Sequence, residues 1–324
     1  RKDDTMERIG EDFKEKIKKT AELLKNRGLK KPGGEAIRKL IKENHVGEFL
    51  KAERLREKDL DEIKLEGGIA GVDGSINSIG GVYPYIIFIK RALGISSEKS
   101  REEIELSEVD SPLLMEEQIK EEDYRALQKK RLAELEAEAA RQVLTKFRPR
   151  VLFLDGSLVR FKIEAKSRFD QIKDIALKND VVIAGLVEGI STSVISGSIN
   201  KGLPPEFKHA ADWEILMGAM DVGEYLEIKS GLFKEGFRTL FMRSSLDPKP
   251  IGVDILEEQK DYTRFIANLV YTLTPENGRG IPLWMDIVDK KVKITDAFME
   301  AVINGFLGED FAEIIKPKRE KRNP

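Results

Sequence analysis

A mixed α/β sheet with helices on both faces, preceded by a helical N-terminal extension, is the fold class this sequence predicts. Three observations lead there. Strand-like segments alternate with helical ones. Two strands, residues 151–154 and 181–187, are apolar throughout, as strands covered on both faces are. The first 66 residues are highly charged and helical in periodicity, which sets an extension (1–66) apart from a main domain (67–324).

In the extension, Ile9, Phe13, Ile17, Ala21 and Leu24 recur at helical spacing, with Gly28 as a stop. A second helical stretch carries Ile37, Leu40, Ile41, Phe49 and Leu55. Such helices either pack on the main domain or serve as a docking or dimerisation arm. After Glu66-Gly67-Gly68 the character changes: Ile69 to Val72 is a short apolar strand ending in Asp73-Gly74-Ser75, and Ile79 to Ile89 reads as a second strand paired with it. Pro84 within that run suggests an edge or a bulge. Ser111 is a good N-cap and Pro112 a good first residue for one helix, or two in series, reaching Phe147. The apolar strand at 151–154 then ends in a second Asp-Gly-Ser, Asp155-Gly156-Ser157. Beyond the strand 181–187 and a loop with Pro204 and Pro205, strands are expected at 237–242 and 251–255, a helix near 257–271, and a last helix from about Pro282.

Composition narrows the chemistry. Of 324 residues none is cysteine, which removes disulfides, thiolate zinc sites and cysteine nucleophiles. His45 and His209 are the only imidazoles, so a metal site must rest on oxygen ligands, which favours magnesium, manganese or calcium. The net charge of −2 neither advertises nor excludes nucleic acid, because 56 basic residues can gather on one face. No apolar run approaches the roughly 18 residues that span a bilayer. The opening Arg1-Lys2-Asp3-Asp4 lacks the apolar core of a secretory leader, and the missing initiating Met is expected to reflect sequence trimmed upstream. High Lys and Glu usage without Cys fits a cytoplasmic protein. The basic tail from Lys316 to Arg322 is expected to be a solvated end, with a phosphate-contacting arm as the other reading.

The repeated pattern of apolar strand followed by Asp-Gly-Ser is the strongest local signal. A lone Asp-Gly is an ordinary turn. Two copies, each closing a buried strand, would put Asp73 and Asp155 within reach of the same cations if the strands are neighbours. On the preceding helix Glu134, Glu136 and Glu138 are candidates, and neighbours three and four residues away separate them. Glu134 has Lys130, Arg131 and Glu138 beside it, and Glu138 has Glu134, Arg141 and Gln142, so both face water. Glu136 has Leu132, Ala139, Ala140 and Val143 around it and faces the sheet, where an unpaired carboxylate is costly. Asp286 and Asp289 follow Pro282 at the start of the last helix, a place where the helix dipole favours acids in any case.

Asp at a strand end, Glu on a helix, Asp at a strand end and Asp on a C-terminal helix is the order of acids in ribonuclease H-like nucleases. The chain resembles the NurA nucleases. The resemblance is carried by Val72-Asp73-Gly74-Ser75, Leu135-Glu136 with Ala139-Ala140, Leu154 to Leu158, and Gly280-Ile281-Pro282 followed by Met285 and Val288-Asp289. It implies a ribonuclease H-like domain and metal-dependent DNA hydrolysis by Asp73, Glu136, Asp155 and Asp289, with Asp286 as an alternative or additional ligand. It further implies Mn2+ (or Mg2+), two ions, and trimming of 5′ ends with single-strand endonuclease activity. A homodimer working with a HerA-type hexameric ATPase in DNA end resection and double-strand break repair is implied as well. Two departures stand out. Val288 precedes Asp289 where many relatives have Ala, and Glu188 stands where a Lys commonly follows the strand, leaving Lys201, Lys229 and Arg243 as substitutes for a phosphate contact. The rival readings are an actin-like ATPase or sugar kinase, although its loops usually separate Asp from Gly, and a non-catalytic adaptor of a DNA translocase.

Overall fold

The computed structural model describes residues 10–98, 102–117, 119–306 and 308, so Ile9 and the tail from Lys316 to Arg322 lie outside the described residues. Helix α1 (Glu11–Leu29) buries none of its residues, and Phe13 and Leu24 are 57% and 64% exposed. Its ties to the rest lie at its C-terminal end, where Arg27 pairs with Glu214 and covers the Phe207 ring. Helix α2 (Gly34–Glu43) does pack inward, through Ile37 and Ile41. The expected helix to Leu55 then fails. His45 turns the chain with a φ of 51°, and Phe49 lies in strand β1 (Gly47–Lys51). Gly47 permits that pairing, since a Cβ there would meet the Glu227 carbonyl oxygen at 2.3 Å. Helix α3 (Glu57–Leu65) completes the extension, which is therefore not wholly helical.

Strand β2 (Ile69–Val82) does not stop at Asp73 but runs 14 residues to a turn at Tyr83-Pro84 and returns as β3 (Tyr85–Ser96). Pro84 thus belongs to the hairpin turn. Strand β4 (Glu103–Asp110) was not anticipated. Ser111 caps a three-residue 3-10 turn, and the long helix α4 (Glu121–Lys146) starts nine residues later than the Pro112 signal suggested, with no second break. Next come β5 (Val151–Asp155), α5 (Leu158–Glu164), α6 (Lys166–Lys178) and β6 (Val182–Val187). After short helices α7 (Val194–Ser198) and α8 (Asp212–Leu216), three strands follow: β7 (Glu224–Ile228), β8 (Phe237–Met242) and β9 (Ile251–Leu256). Helices α9 (Thr263–Leu273), α10 (Leu283–Val292) and α11 (Asp296–Phe306) end the described chain.

The nine strands form one mixed sheet in the order β1-β7-β8-β9-β6-β5-β2-β3-β4. Only β2–β5 and β5–β6 pair in parallel. Successive side chains alternate between faces, and both faces are covered. Ala70, Val72, Leu152 and Leu154 pack with Ala140 and Val143 of α4 and Ile172 of α6. Ile69, Val151, Phe153 and Val182 pack with Ile266 and Val270 of α9 and Met285 of α10. Truncating a fully buried ring such as Phe153 costs about 3–5 kcal/mol. The predicted mixed α/β sheet flanked by helices is the fold observed. No helix among the described residues is long and apolar enough to cross a membrane.

Candidate active site

The parallel ladder between β2 and β5 ends at the Val72–Leu154 rung. Asp73 and Asp155 are the next residues on the two strands, so their carboxylates stand beside each other where the central pairing opens. Asp73 is buried within β2, opposite Leu93 of β3, whereas Asp155 is exposed at the last residue of β5. Gly156 turns the chain away with a φ of 89°, a conformation open to glycine.

Two further glycines bring helices from opposite faces. A Cβ on Gly71 would lie 2.7 Å from Met285 Sδ and 3.1 Å from Val288, so α10 sits directly on β2 there. Asp73 shares that face by alternation, which directs it toward the helix that carries Asp289. On the other face, a Cβ on Gly74 would come 2.3 Å from Glu136 Oε1, so the missing side chain is what admits Glu136.

The electrostatics follow from this placement. Burial, and next the charge of Asp155, push the Asp73 carboxyl up to about 7, with Asp289 adding and Arg160 opposing; the Gly74 N–H donates to Asp73 Oδ1 at 2.6 Å and partly offsets the rise. The carboxyl of Asp155 is raised by the protein packed around it and then by Asp289, against which Arg279 acts. Asp289 therefore acts on both central acids. Asp286 is turned aside instead, accepting from Arg279 Nε at 2.8 Å.

Glu136 is 2% exposed, as the helical register predicts, whereas Glu134, beside Lys130, is half-buried and not fully turned to water. Glu138 departs from expectation. It is partly buried and clamped by Arg141, Gln142 and Arg168, which hold its carboxyl down at about 2, Arg141 first. Glu136 pairs with Arg160, whose Nε is buried without a hydrogen-bond partner.

Several functional candidates were not foreseen. Arg279 bridges Glu188 (2.6 Å), Asp286 and, at 3.6 Å, Asp289. It and Arg160 are the cations at the acids. Of the expected substitutes, Arg243 is committed to the carbonyl oxygens of Met220, Leu246 and Asp247. Lys229 lines a separate polar hollow with His45 and Arg238, and Lys201 is exposed on a 3-10 turn. Asp254, fully buried in β9, accepts from Lys234 Nζ, Ser157 Oγ (both 2.7 Å), Thr239 Oγ1 (2.8 Å) and the Leu158 N–H (3.2 Å). This ion pair fastens the second Asp-Gly-Ser turn to the sheet. The signal in the sequence was slight, a lone Asp in the otherwise apolar run 251–256.

A divalent cation suits the donors present. Asp73 and Asp155 offer hard oxygen ligands, and their carboxyls are raised by burial first and by neighbouring acids second, a cost that a bound cation would relieve. As placed, no group of three or more acidic or imidazole side chains among the described residues is drawn together tightly enough to hold an ion. Glu136 and Asp289 would join the pair on release from Arg160 and Arg279.

A family profile described as the NurA domain matches residues 67–294. No curated protein matches the chain. Among solved structures, a crystal structure of NurA is similar at 10% identity and a TM-score of 0.49, covering 86% of this chain and 94% of that one. A crystal structure of NurA bound to dAMP and manganese is similar at 12% identity and a TM-score of 0.49, covering 93% and 99%. Human endonuclease V is similar at 15% identity and a TM-score of 0.41, covering 78% and 93%. At these identities and scores the structural likenesses assign no activity.

Proposed function

The chain belongs to the NurA family of nucleases, and on that premise we propose that it hydrolyses DNA phosphodiesters with Asp73, Asp155, Glu136 and Asp289 as its metal-holding acids. The observation that carries this reading is the Asp73–Asp155 pair, set side by side at the open end of the β2–β5 ladder with both carboxyls raised. The order β4-β3-β2-β5-β6, with α4 between β4 and β5, supports describing the domain as ribonuclease H-like.

Two Mn2+ (or Mg2+) ions would be held by Asp73 and Asp155, with Glu136, Asp289 and secondarily Asp286 completing their shells. Bound divalent cations supply an activated water and neutralise the leaving oxygen in an in-line displacement. The chain's own residues do the rest. Asp73 is held by β2 and by the Gly74 N–H, so its oxygens are fixed before the substrate arrives. Arg160 and Arg279 neutralise the outer acids in this state and, once freed, are placed to receive the phosphate. His45 lies at the turn before β1, remote from these elements in the fold, and no imidazole is needed as base.

The finer reading is a cytoplasmic enzyme trimming 5′ ends, with single-strand endonuclease activity. It would act as a homodimer with a HerA-type hexameric ATPase in end resection and double-strand break repair. The uncovered apolar stripe of α1 supports the dimer. The test is cleavage of end-labelled single- and double-stranded DNA with manganese and no nucleotide. Cleavage lost on chelation is expected. A requirement for ATP would favour an actin-like ATPase, and inactivity with intact DNA binding would favour a translocase adaptor.

A further inference from the structure

Beside the acids lies a cavity of about 370 Å3, within the range of small-ligand pockets. One end is formed by Ser157 and Arg160, both on the segment leaving Asp155, so the cavity is continuous with the candidate active site. Its walls are Val187, Ile190, Phe233 and Phe241, the two rings meeting edge to face at 5.7 Å. Four of the polar side chains in the wall are already engaged. Ser157, Lys234 and Thr239 all bond Asp254, and Thr192 donates to Asp212 at 2.7 Å. What is left for a ligand is mainly apolar and aromatic surface, with Arg160, Glu164 and Ser191 as the polar groups beside it.

From this we infer that the cavity receives the nucleobase next to the scissile phosphate, binding it mainly by apolar and ring contact. The proposal rests on the nuclease reading above. Aromatic and aliphatic side chains accept the face of any base. Arg160 lines the cavity on the side of the acids, so a phosphate flanking a bound base would pass it. The occupant is thus a base of a locally single strand, since a base inside a duplex cannot present its faces.

Gly252 gives the means to close the pocket. Its Cβ would meet Val187 at 3.4 Å, Ile190 at 3.7 Å and Phe241 at 3.8 Å, all ordinary contacts within the cavity lining, so the side chain of Gly252→Leu would start inside the cavity. Two measurements on the full chain decide the proposal. In the first, single-stranded oligonucleotides with a tetrahydrofuran abasic residue at successive positions are cleaved with manganese. The parent should lose about tenfold or more in kcat/KM, mainly through KM, when the abasic residue occupies the cleaved position. Gly252→Leu should show that loss on intact DNA and be indifferent to base removal, with manganese affinity unchanged. In the second, chelator is present and 2-aminopurine is scanned along the strand. Its emission should change on binding the parent at one position and not on binding the variant. Equal cleavage of abasic and intact strands, or an emission change identical in both proteins, overturns the pocket while leaving the nuclease reading intact. If the parent cleaves nothing, that reading fails, and the fluorescence measurement alone decides the pocket.

Discussion

Replacing Asp73 by Asn should make the metal-free protein more stable above neutral pH, although it removes a central acid. Asp73 is 5% exposed, and its carboxyl is raised from 3.8 to about 7 by burial and by Asp155. A raised carboxyl favours the protonated folded form, so its contribution is full below the ordinary value near 4 and is lost as pH rises through about 7. At about 1.4 kcal/mol per pH unit, the cost of ionising it in the fold reaches at most about 4 kcal/mol. Asn keeps the Oδ1 that accepts from the Gly74 N–H, so the hydrogen bond is retained while the charge is not. Urea denaturation with chelator should therefore place Asp73→Asn about 2–4 kcal/mol above the parent at pH 8, and less than half that at pH 5. Saturating manganese should stabilise the parent, because a ligand binding only the folded state adds its binding free energy, and should leave the variant unmoved. A variant less stable than the parent at pH 8, or a gap independent of pH, would refute the reasoning.

The remaining predictions concern the supporting residues. Glu136→Gln should nearly eliminate manganese-dependent cleavage while Glu134→Gln and Glu138→Gln leave it near normal; the reverse ranking in a cleavage assay would show the register is wrong. Glu138 instead contributes stability that is present above its ordinary range and lost as pH falls toward 2, which acid denaturation of Glu138→Gln should register as a flatter profile. Asp289→Asn should lower cleavage by orders of magnitude and Asp286→Asn by less, since Asp289 acts on both central acids and Asp286 on Arg279; kinetics of the two variants decide it. Lys234→Met strands the buried Asp254 without its cation and should cost about 3–5 kcal/mol in denaturant unfolding.

Much of this arrangement was legible in the sequence, for identifiable reasons. The strand 237–242 was readable to the residue because apolar side chains and Thr239 occupy every position but Arg238. The pair of Asp-Gly-Ser segments flagged two neighbouring strands, although only Asp155 ends its strand. Asp73 lies inside a longer one, and what ends at both is the shared ladder. Strands β1, β4 and β7 escaped notice; β1 and β4 form the two edges of the sheet, and β7 lies inside it with Glu224 and Glu227 among its few apolar residues. Edge strands carry charge on purpose, to discourage pairing with other chains, and Glu-Ile-Glu-Leu-Ser-Glu-Val-Asp resembles a solvated segment. Glu136 was separable from its neighbours because a helix face is set by residues three and four away. Arg160, Arg279, Lys234 and Asp254 were not, because their roles depend on contacts up to 97 residues apart in the chain, such as Ser157 with Asp254.

The account stands most directly on Asp155, the exposed member of the central pair, because its loss should abolish chemistry without disturbing the core. The decisive measurement is cleavage of labelled single-stranded DNA by Asp155→Asn at saturating manganese, with folding verified by a denaturation midpoint in chelator no lower than the parent's. A fall of at least a thousandfold relative to a parent whose own activity vanishes on chelation is the predicted result. Parent-like cleavage by the folded variant would contradict the assignment of the Asp73–Asp155 pair as the metal-holding centre.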